Sequence, residues 1–286
     1  MGRDLYDASP AARAIFDRAD AVLGRPISRL CFEGPADQLA DTANAQPAIY
    51  VASLACLEAA REAGVASDEP SFVAGHSLGE YTALAAAGAL TFEGGLRLVA
   101  ERGRLMASAA REMPGAMAAL LGLEAEAAEA ACADAGAEVC NVNAPGQIVI
   151  GGTPEAVSKA CDLAQQRGAR RAIMLDVSGA FHTSLMRPAV EPFAQAVSSI
   201  GISAPRVPFI SNRTGEPTAE PAEIADALVY QLTHPVRWTA CVEHMASHGV
   251  RSIIEFGPGK VLTGLVKRIA PEIALRNINN KGSLQA

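Results

Sequence analysis

The stretch Phe72–Tyr81, FVAGHSLGEY, constrains the fold more than any other short segment of this chain. Apolar residues lead into a turn that carries Ser77 between Gly75 and Gly79, and the small-residue run YTALAAAGAL follows. Strand, sharp turn and helix in that order make a G-x-S-x-G elbow, which holds a serine hydroxyl exposed on a strained turn. Such an elbow belongs to an α/β architecture, and it raises a chemical question. Ser77 either passes an acyl group to water or keeps it for another acceptor.

Composition agrees with that architecture. Half of the 286 residues are apolar and only 5% are aromatic, which suits helices packed closely on a parallel sheet better than a β-sandwich. The formal charge of −7 argues against nucleic acid as a partner. The six cysteines form no C-x-x-C pair and read as small core residues in a reducing cytoplasm. The five histidines show no metal spacing such as H-E-x-x-H, so no metal is expected. No apolar run is long enough to span a bilayer, so no membrane partner is expected, and no signal segment is seen at the start. Asn212-Arg-Thr214 matches a glycosylation sequon, which carries no meaning in a cytosolic protein.

Along the chain, SPAARAIFDRADAVLG and NAQPAIYVASLACLEAAREAG read as helices, and Thr91 as the N-cap of a third helix that ends before Pro114-Gly115. From there the order becomes β-α-β-β-α-β over residues 115–178, the pattern of a ferredoxin-like unit. The expected organisation is a large domain in two parts, 1–114 and 179–286, with a small domain, 115–178, inserted between them. The second part reads as a helix from about Thr183, the strands VPFIS and SIIEF, and a final helix VLTGLVKRIA.

An elbow serine needs a base to take its proton. His182, in VSGAFHTSLM, lies where the chain crosses back from the small domain, a favourable place for a catalytic group. His76 adjoins the serine but is expected to point away from it, and His234, His244 and His248 read as ordinary. Asp176 is the nearest preceding acid, though a backbone carbonyl orients an imidazole equally well. A Ser77–His182 pair is therefore expected rather than a full triad.

The third helix holds a conspicuous charge. Leu98, Val99, Leu105 and Met106 form its buried stripe, and Arg102 stands inside that stripe. An inward guanidinium keeps its charge and needs an anion. Either an internal carboxylate supplies it or the substrate does, since the planar fork of arginine matches a carboxylate bidentately.

Taken together, GHSLGEY around Ser77, ERGRLM around Arg102, GAFHTSLM around His182, NAPGQIVIGG, QLTHPVRW and EFGPGKVLTGLVKRI resemble the malonyl-CoA:acyl carrier protein transacylases over nearly the whole chain. The resemblance implies an α/β-hydrolase-like large domain with a parallel sheet plus an inserted ferredoxin-like small domain. It implies Ser77 as the nucleophile, His182 as general base and acid, and Arg102 as the clamp on the malonyl carboxylate. It implies further that Leu78 supplies an oxyanion N–H and that Phe181 crowds a methyl-branched acyl group. Gln231 would orient the histidine through its main-chain carbonyl, with no need of its side chain. Gln46 matches a position near the acyl cleft, although helix capping explains it as well.

The partners so implied are malonyl-CoA and an acyl carrier protein, with no cofactor, and the protein is expected to be a cytoplasmic monomer. Arg167, Arg170, Arg171, Lys260, Lys267 and Arg268 are candidates for a basic patch facing an acidic carrier. Family members begin with a strand and a PGQGSQ-like loop that gives a second oxyanion donor. This chain starts at MGRDLYDASP, which resembles the segment after that loop, so the usual first strand and loop are expected to be missing from the first part. Two other readings stay open: an acyl hydrolase that edits carrier-bound acyl groups, and a catalytically impaired carrier-binding domain.

Overall fold

The computed structural model describes residues 1–285. The helices form where local chemistry starts and stops them. Ser9 accepts a hydrogen bond from the Ala12 N–H to open the helix Pro10–Leu23, and Gly24, in the left-handed region, ends it. The Asp41 side chain caps Thr42–Glu62 and the Thr91 side chain caps Phe92–Glu112. The last two helices pack against each other very closely at Gly103, where an added Cβ would lie 2.7 Å from the Thr42 carbonyl oxygen. That approach brings the inner face of Phe92–Glu112, with Arg102 on it, against Gln46.

The strands are β1 (Val73–Ala74), β2 (Ala116–Leu121), β3 (Glu138–Ala144), β4 (Gln147–Gly152), β5 (Arg171–Met174), β6 (Phe209–Ile210), β7 (Pro217–Thr218), β8 (Ser252–Phe256) and β9 (Ala274–Ile278). β1 runs parallel to β6, with Val73 beside Phe209 and Ala74 beside Ile210, and β7 adds antiparallel to β6. β8 runs parallel to β9 from Ser252–Ala274 to Phe256–Ile278. The parallel strands thus stand in two short sheets, β1-β6-β7 and β8-β9.

The four strands from β2 to β5 form a separate antiparallel sheet in the order β3-β4-β2-β5. With the helices Ala125–Ala135 and Pro154–Gln166 between them, they realise the β-α-β-β-α-β order of a ferredoxin-like unit. This unit has its own core, centred on Leu120, Ile148, Ile150 and Val157. It is tied to the rest of the chain by a ladder in which Val142 N–H donates to Val236 O, and Val236 N–H to Cys140 O, each at 2.9 Å. The main core gathers Phe16, Tyr50, Tyr81, Leu98, Phe193 and Phe209. No helix among the described residues is long and apolar enough to cross a membrane.

The structure also departs from the sequence expectations in its second part. The helix expected at Thr183 begins as a 3-10 turn, Ser184–Met186, which passes into Arg187–Ser198. A closing strand, β9, follows the last helix; its ALRNI segment mixes polar and apolar residues without the alternation that marks a strand.

Candidate active site

β1 delivers the chain to the elbow, and the helix Gly79–Ala86 leaves it. Gly75 makes this turn possible, since a Cβ there would sit 2.0 Å from the Gly79 carbonyl carbon. Ser77 has φ 51°, a left-handed conformation for a residue with a side chain. The strain is held in place from beneath. Asn212 Oδ1 accepts the Ser77 N–H at 2.8 Å, and Asn212 Nδ2 donates to the Gly75 carbonyl at 2.8 Å. Leu78 is buried, and its N–H, at the start of the helix, has no hydrogen-bond partner among the described residues.

His182 comes to the elbow from the segment after β5. It too has a positive φ, 63°, and its Nε2 lies 2.8 Å from Ser77 Oγ. Its Nδ1 lies 2.7 Å from the main-chain oxygen of Gln231. A carbonyl only accepts, so Nδ1 carries the proton and Nε2 is left as the acceptor facing the serine. Burial, reinforced by the Arg102 charge, drives the His182 pKa down to about 3. The imidazole is therefore neutral, the form a proton acceptor needs. Asp176 is exposed, and the Nδ1 position it would have taken is filled by the Gln231 main-chain oxygen. His76 turns its Nε2 to Asn143 Oδ1 at 2.8 Å, away from the serine.

Arg102 is 1% exposed. Its Nη1 donates to Gln46 Oε1 at 2.8 Å, and its Nη2 donates to Gln231 Oε1 at 2.7 Å and Ser77 Oγ at 3.0 Å. The Tyr81 ring lies under the guanidinium, 5.6 Å from its carbon. No carboxylate among the described residues bonds this cation, and its Nε–H has no partner. A buried guanidinium held by neutral amides, with its charge unpaired at first hand, is arranged to receive an anion beside the serine.

The structure brings Ser77, His182, Arg102, Gln231 and Leu78 together. Gln46, which capping had explained as well, is a direct partner of the guanidinium. Phe181 is half-buried and packs where the main core meets the smaller cluster of Met117, Cys140, Val149 and Ala180. The Gln231 side chain, of which no part was expected, is engaged in the site: its amide links Arg102 on one side with the Ser77 carbonyl (3.2 Å) and the Glu80 carboxyl on the other.

Sequence reasoning also missed Glu80 and Asn212, 1% and 0% exposed. Glu80 Oε1 accepts the Asn212 N–H at 2.6 Å, and its other oxygen accepts Gln231 Nε2. Burial pushes the Glu80 carboxyl up to about 8, against the opposing pull of the Asn212 N–H, the Arg102 charge and the Gln231 amide. No group of metal-binding side chains occurs among the described residues.

A family model described as the acyl transferase domain matches residues 1–276. The chain belongs to this acyl transferase family. It is 45% identical over 274 residues to the malonyl CoA-acyl carrier protein transacylase of Bacillus subtilis, a match covering 94% of this chain and 86% of that protein. The crystal structure of an acyl carrier protein S-malonyltransferase from Vibrio cholerae superposes with a TM-score of 0.95 at 42% identity, covering 100% of this chain and 94% of that one. A malonyl-transacylase in complex with a type II polyketide synthase acyl-carrier protein gives a TM-score of 0.95 at 40% identity, covering 100% of this chain and 93% of that one. This chain thus shares with these matched structures the α/β arrangement described above, a large part with a small sheet unit.

Proposed function

We propose that this acyltransferase takes malonyl from malonyl-CoA onto Ser77 and passes it to the phosphopantetheine thiol of an acyl carrier protein, as an acyl-carrier-protein S-malonyltransferase. The observation that carries this reading is the buried Arg102 guanidinium, 3.0 Å from Ser77 Oγ and bonded by amides rather than acids. An acyl group with a carboxylate at its far end satisfies that charge and places its thioester at the serine.

In the first half-reaction His182 Nε2 accepts the Ser77 proton as Oγ attacks the thioester carbonyl. The Leu78 N–H faces the oxyanion that forms. As the carbon–sulfur bond breaks, the imidazolium returns its proton to the departing CoA sulfur, leaving a malonyl ester on Ser77. The carrier thiol then repeats the steps in reverse, giving its proton to His182, taking the acyl group, and freeing the serine. A thioester is exchanged for a thioester, so no external energy source is needed.

The Phe181 ring beside His182 is assigned the crowding of a methyl branch, which gives modest discrimination. For the carrier, all six candidates are exposed, but Arg167 already pairs with Asp134 at 2.5 Å and Arg268 is held by Gln147 Oε1 at 2.5 Å and Pro145 O at 2.9 Å, which leaves Arg170, Arg171, Lys260 and Lys267. We place the protein in the cytoplasm as a monomer, a setting that suits its free cysteines.

The test is Arg102→Ala. Two charged hydrogen bonds at about 1.5–3 kcal/mol each predict a loss of at least ~10² in kcat/KM for malonyl-CoA, with acetyl-CoA less affected. An unchanged preference between the two donors refutes the clamp.

A further inference from the structure

Glu80 lies beneath the site and touches none of the reacting atoms. It is 1% exposed, and its two oxygens reach the two residues that hold everything above. Asn212, on one oxygen, braces the Ser77 N–H. Gln231, on the other, holds His182 through its main-chain oxygen and Arg102 through Oε1.

A side-chain amide has nearly the same shape after a half-turn, but its chemistry is reversed. With Oε1 toward Arg102, Gln231 accepts from the guanidinium. With its NH2 group there, donor would face donor. Both Glu80 oxygens accept here, one from the Asn212 N–H and the other from Gln231 Nε2, so the side of the Gln231 amide that faces Glu80 is its NH2 group. We propose that Glu80 is a positioning residue for malonyl selection: by taking Gln231 Nε2 it keeps Gln231 Oε1 on Arg102, and so holds the guanidinium where a substrate carboxylate meets it. The proposal rests on the reading of Arg102 as the carboxylate clamp.

The intervening amide matters. A carboxylate bonded directly to Arg102 would neutralise the cation and compete with the substrate. One amide removed, Glu80 fixes the direction of the fork and leaves its charge for the acyl group. A carboxamide at position 80 keeps its oxygen on the Asn212 main-chain N–H and so turns its NH2 group toward Gln231 Nε2, donor facing donor, and the lock on Gln231 is lost. The consequence falls on donor preference rather than on the serine–histidine pair, because the His182 contact is to a main-chain oxygen that an amide flip leaves in place.

The experiment uses the full chain with Glu80→Gln, Gln231→Met, the double variant and Arg102→Ala. Each is checked for cooperative thermal unfolding and assayed at about pH 8.5, where an ordinary carboxylate and one raised to about 8 are both mainly ionised. Transfer from malonyl-CoA and from acetyl-CoA to one carrier is measured. Glu80→Gln and Gln231→Met are each expected to lower the malonyl-to-acetyl ratio of kcat/KM by ~10-fold, chiefly through KM for malonyl-CoA, and the double variant to lose no more than Gln231→Met alone. Additive losses, or equal losses with both donors, mean a merely structural role and overturn the proposal. If Glu80→Gln does not fold, an unchanged ratio in Gln231→Met overturns it alone. Arg102→Ala separates the two readings. If it leaves the ratio intact, the clamp itself fails; if it collapses the ratio while the other variants keep it, this proposal alone fails.

Discussion

Ser77 and His182, 105 residues apart in the chain, hydrogen-bond at 2.8 Å, and they are the two non-glycine residues with positive φ among the described residues. Both backbones are strained to bring the two side chains face to face, and such strain persists only where surrounding structure over-determines it. Here Asn212 pins one residue and Gln231 the other.

That strain gives a test free of catalytic assumptions. Ser77→Ala and Ser77→Gly both remove the hydroxyl, but only glycine relaxes at φ 51°. The glycine variant is expected to be the more stable by about 1 kcal/mol, the reverse of the usual order in regular structure. Urea unfolding of the two proteins measures the difference. An alanine variant as stable as the glycine one means that the turn stores no strain.

The pH dependence of acylation follows from His182. Its pKa, lowered to about 3 by burial and Arg102, leaves the base neutral well below the ordinary histidine range. An unperturbed imidazole near 6.5 would lose about 25-fold of its neutral form between pH 7 and pH 5. The rate of malonyl labelling of Ser77 is expected to fall less than ~3-fold over that interval. A fall of ~25-fold would show a base with an ordinary pKa. In stability the sign is the usual one for a depressed group: its contribution is present above about 6.5 and is lost as pH falls toward the folded value.

Much of this site was legible beforehand, for physical reasons. The elbow is a local pattern, so Ser77 shows within a few residues. Arg102 shows because a charge inside an apolar helical stripe contradicts its surroundings. His182 was inferred from its place at a domain junction. Glu80 gave no such signal, because an acid in the first turn of a helix reads as a complement to the helix dipole. What buries it are partners 132 and 151 residues later in the chain. Asn212 stood out only as part of a sequon without meaning, yet it is 0% exposed. The fold showed the same limit. Capped helices and the β-α-β-β-α-β order were plain, whereas β9 is a strand whose sequence lacks the alternation and which pairs with β8.

Glu80 also sets a pH dependence of stability with an unusual sign for an acid. Its folded pKa of about 8 lies above the ordinary glutamate value near 4.3, so the unfolded chain ionises first as pH rises. Stability from this group is full below that ordinary value and declines up to about pH 8, at ~1.4 kcal/mol per unit of difference. Glu80→Gln is neutral throughout. Relative to the parent, it is expected to gain a few kcal/mol between pH 5 and pH 8, measured by urea unfolding at both values. A constant difference would mean that the carboxyl titrates normally.

The two elbow glycines look equivalent in the motif and are not equivalent in the structure. A Cβ on Gly75 would lie 2.0 Å and 2.1 Å from the Gly79 carbonyl carbon and oxygen, whereas a Cβ on Gly79 meets nothing within 4 Å. The atoms crowding position 75 are backbone, so Gly75→Ala must shift the turn itself and move Ser77 away from His182. Its expected outcome is loss of malonyl labelling by ~10²-fold or more, since a displacement of about 1 Å already costs that much. Gly79→Ala opens the helix Gly79–Ala86 with a better helix former and is expected to retain labelling within a few-fold, with a gain of about 0.5–1 kcal/mol. Labelling of Ser77 by malonyl-CoA and urea unfolding of both variants decide the matter. Equal damage from the two substitutions would mean that the second glycine keeps a role in the reaction itself, such as room for the acyl group.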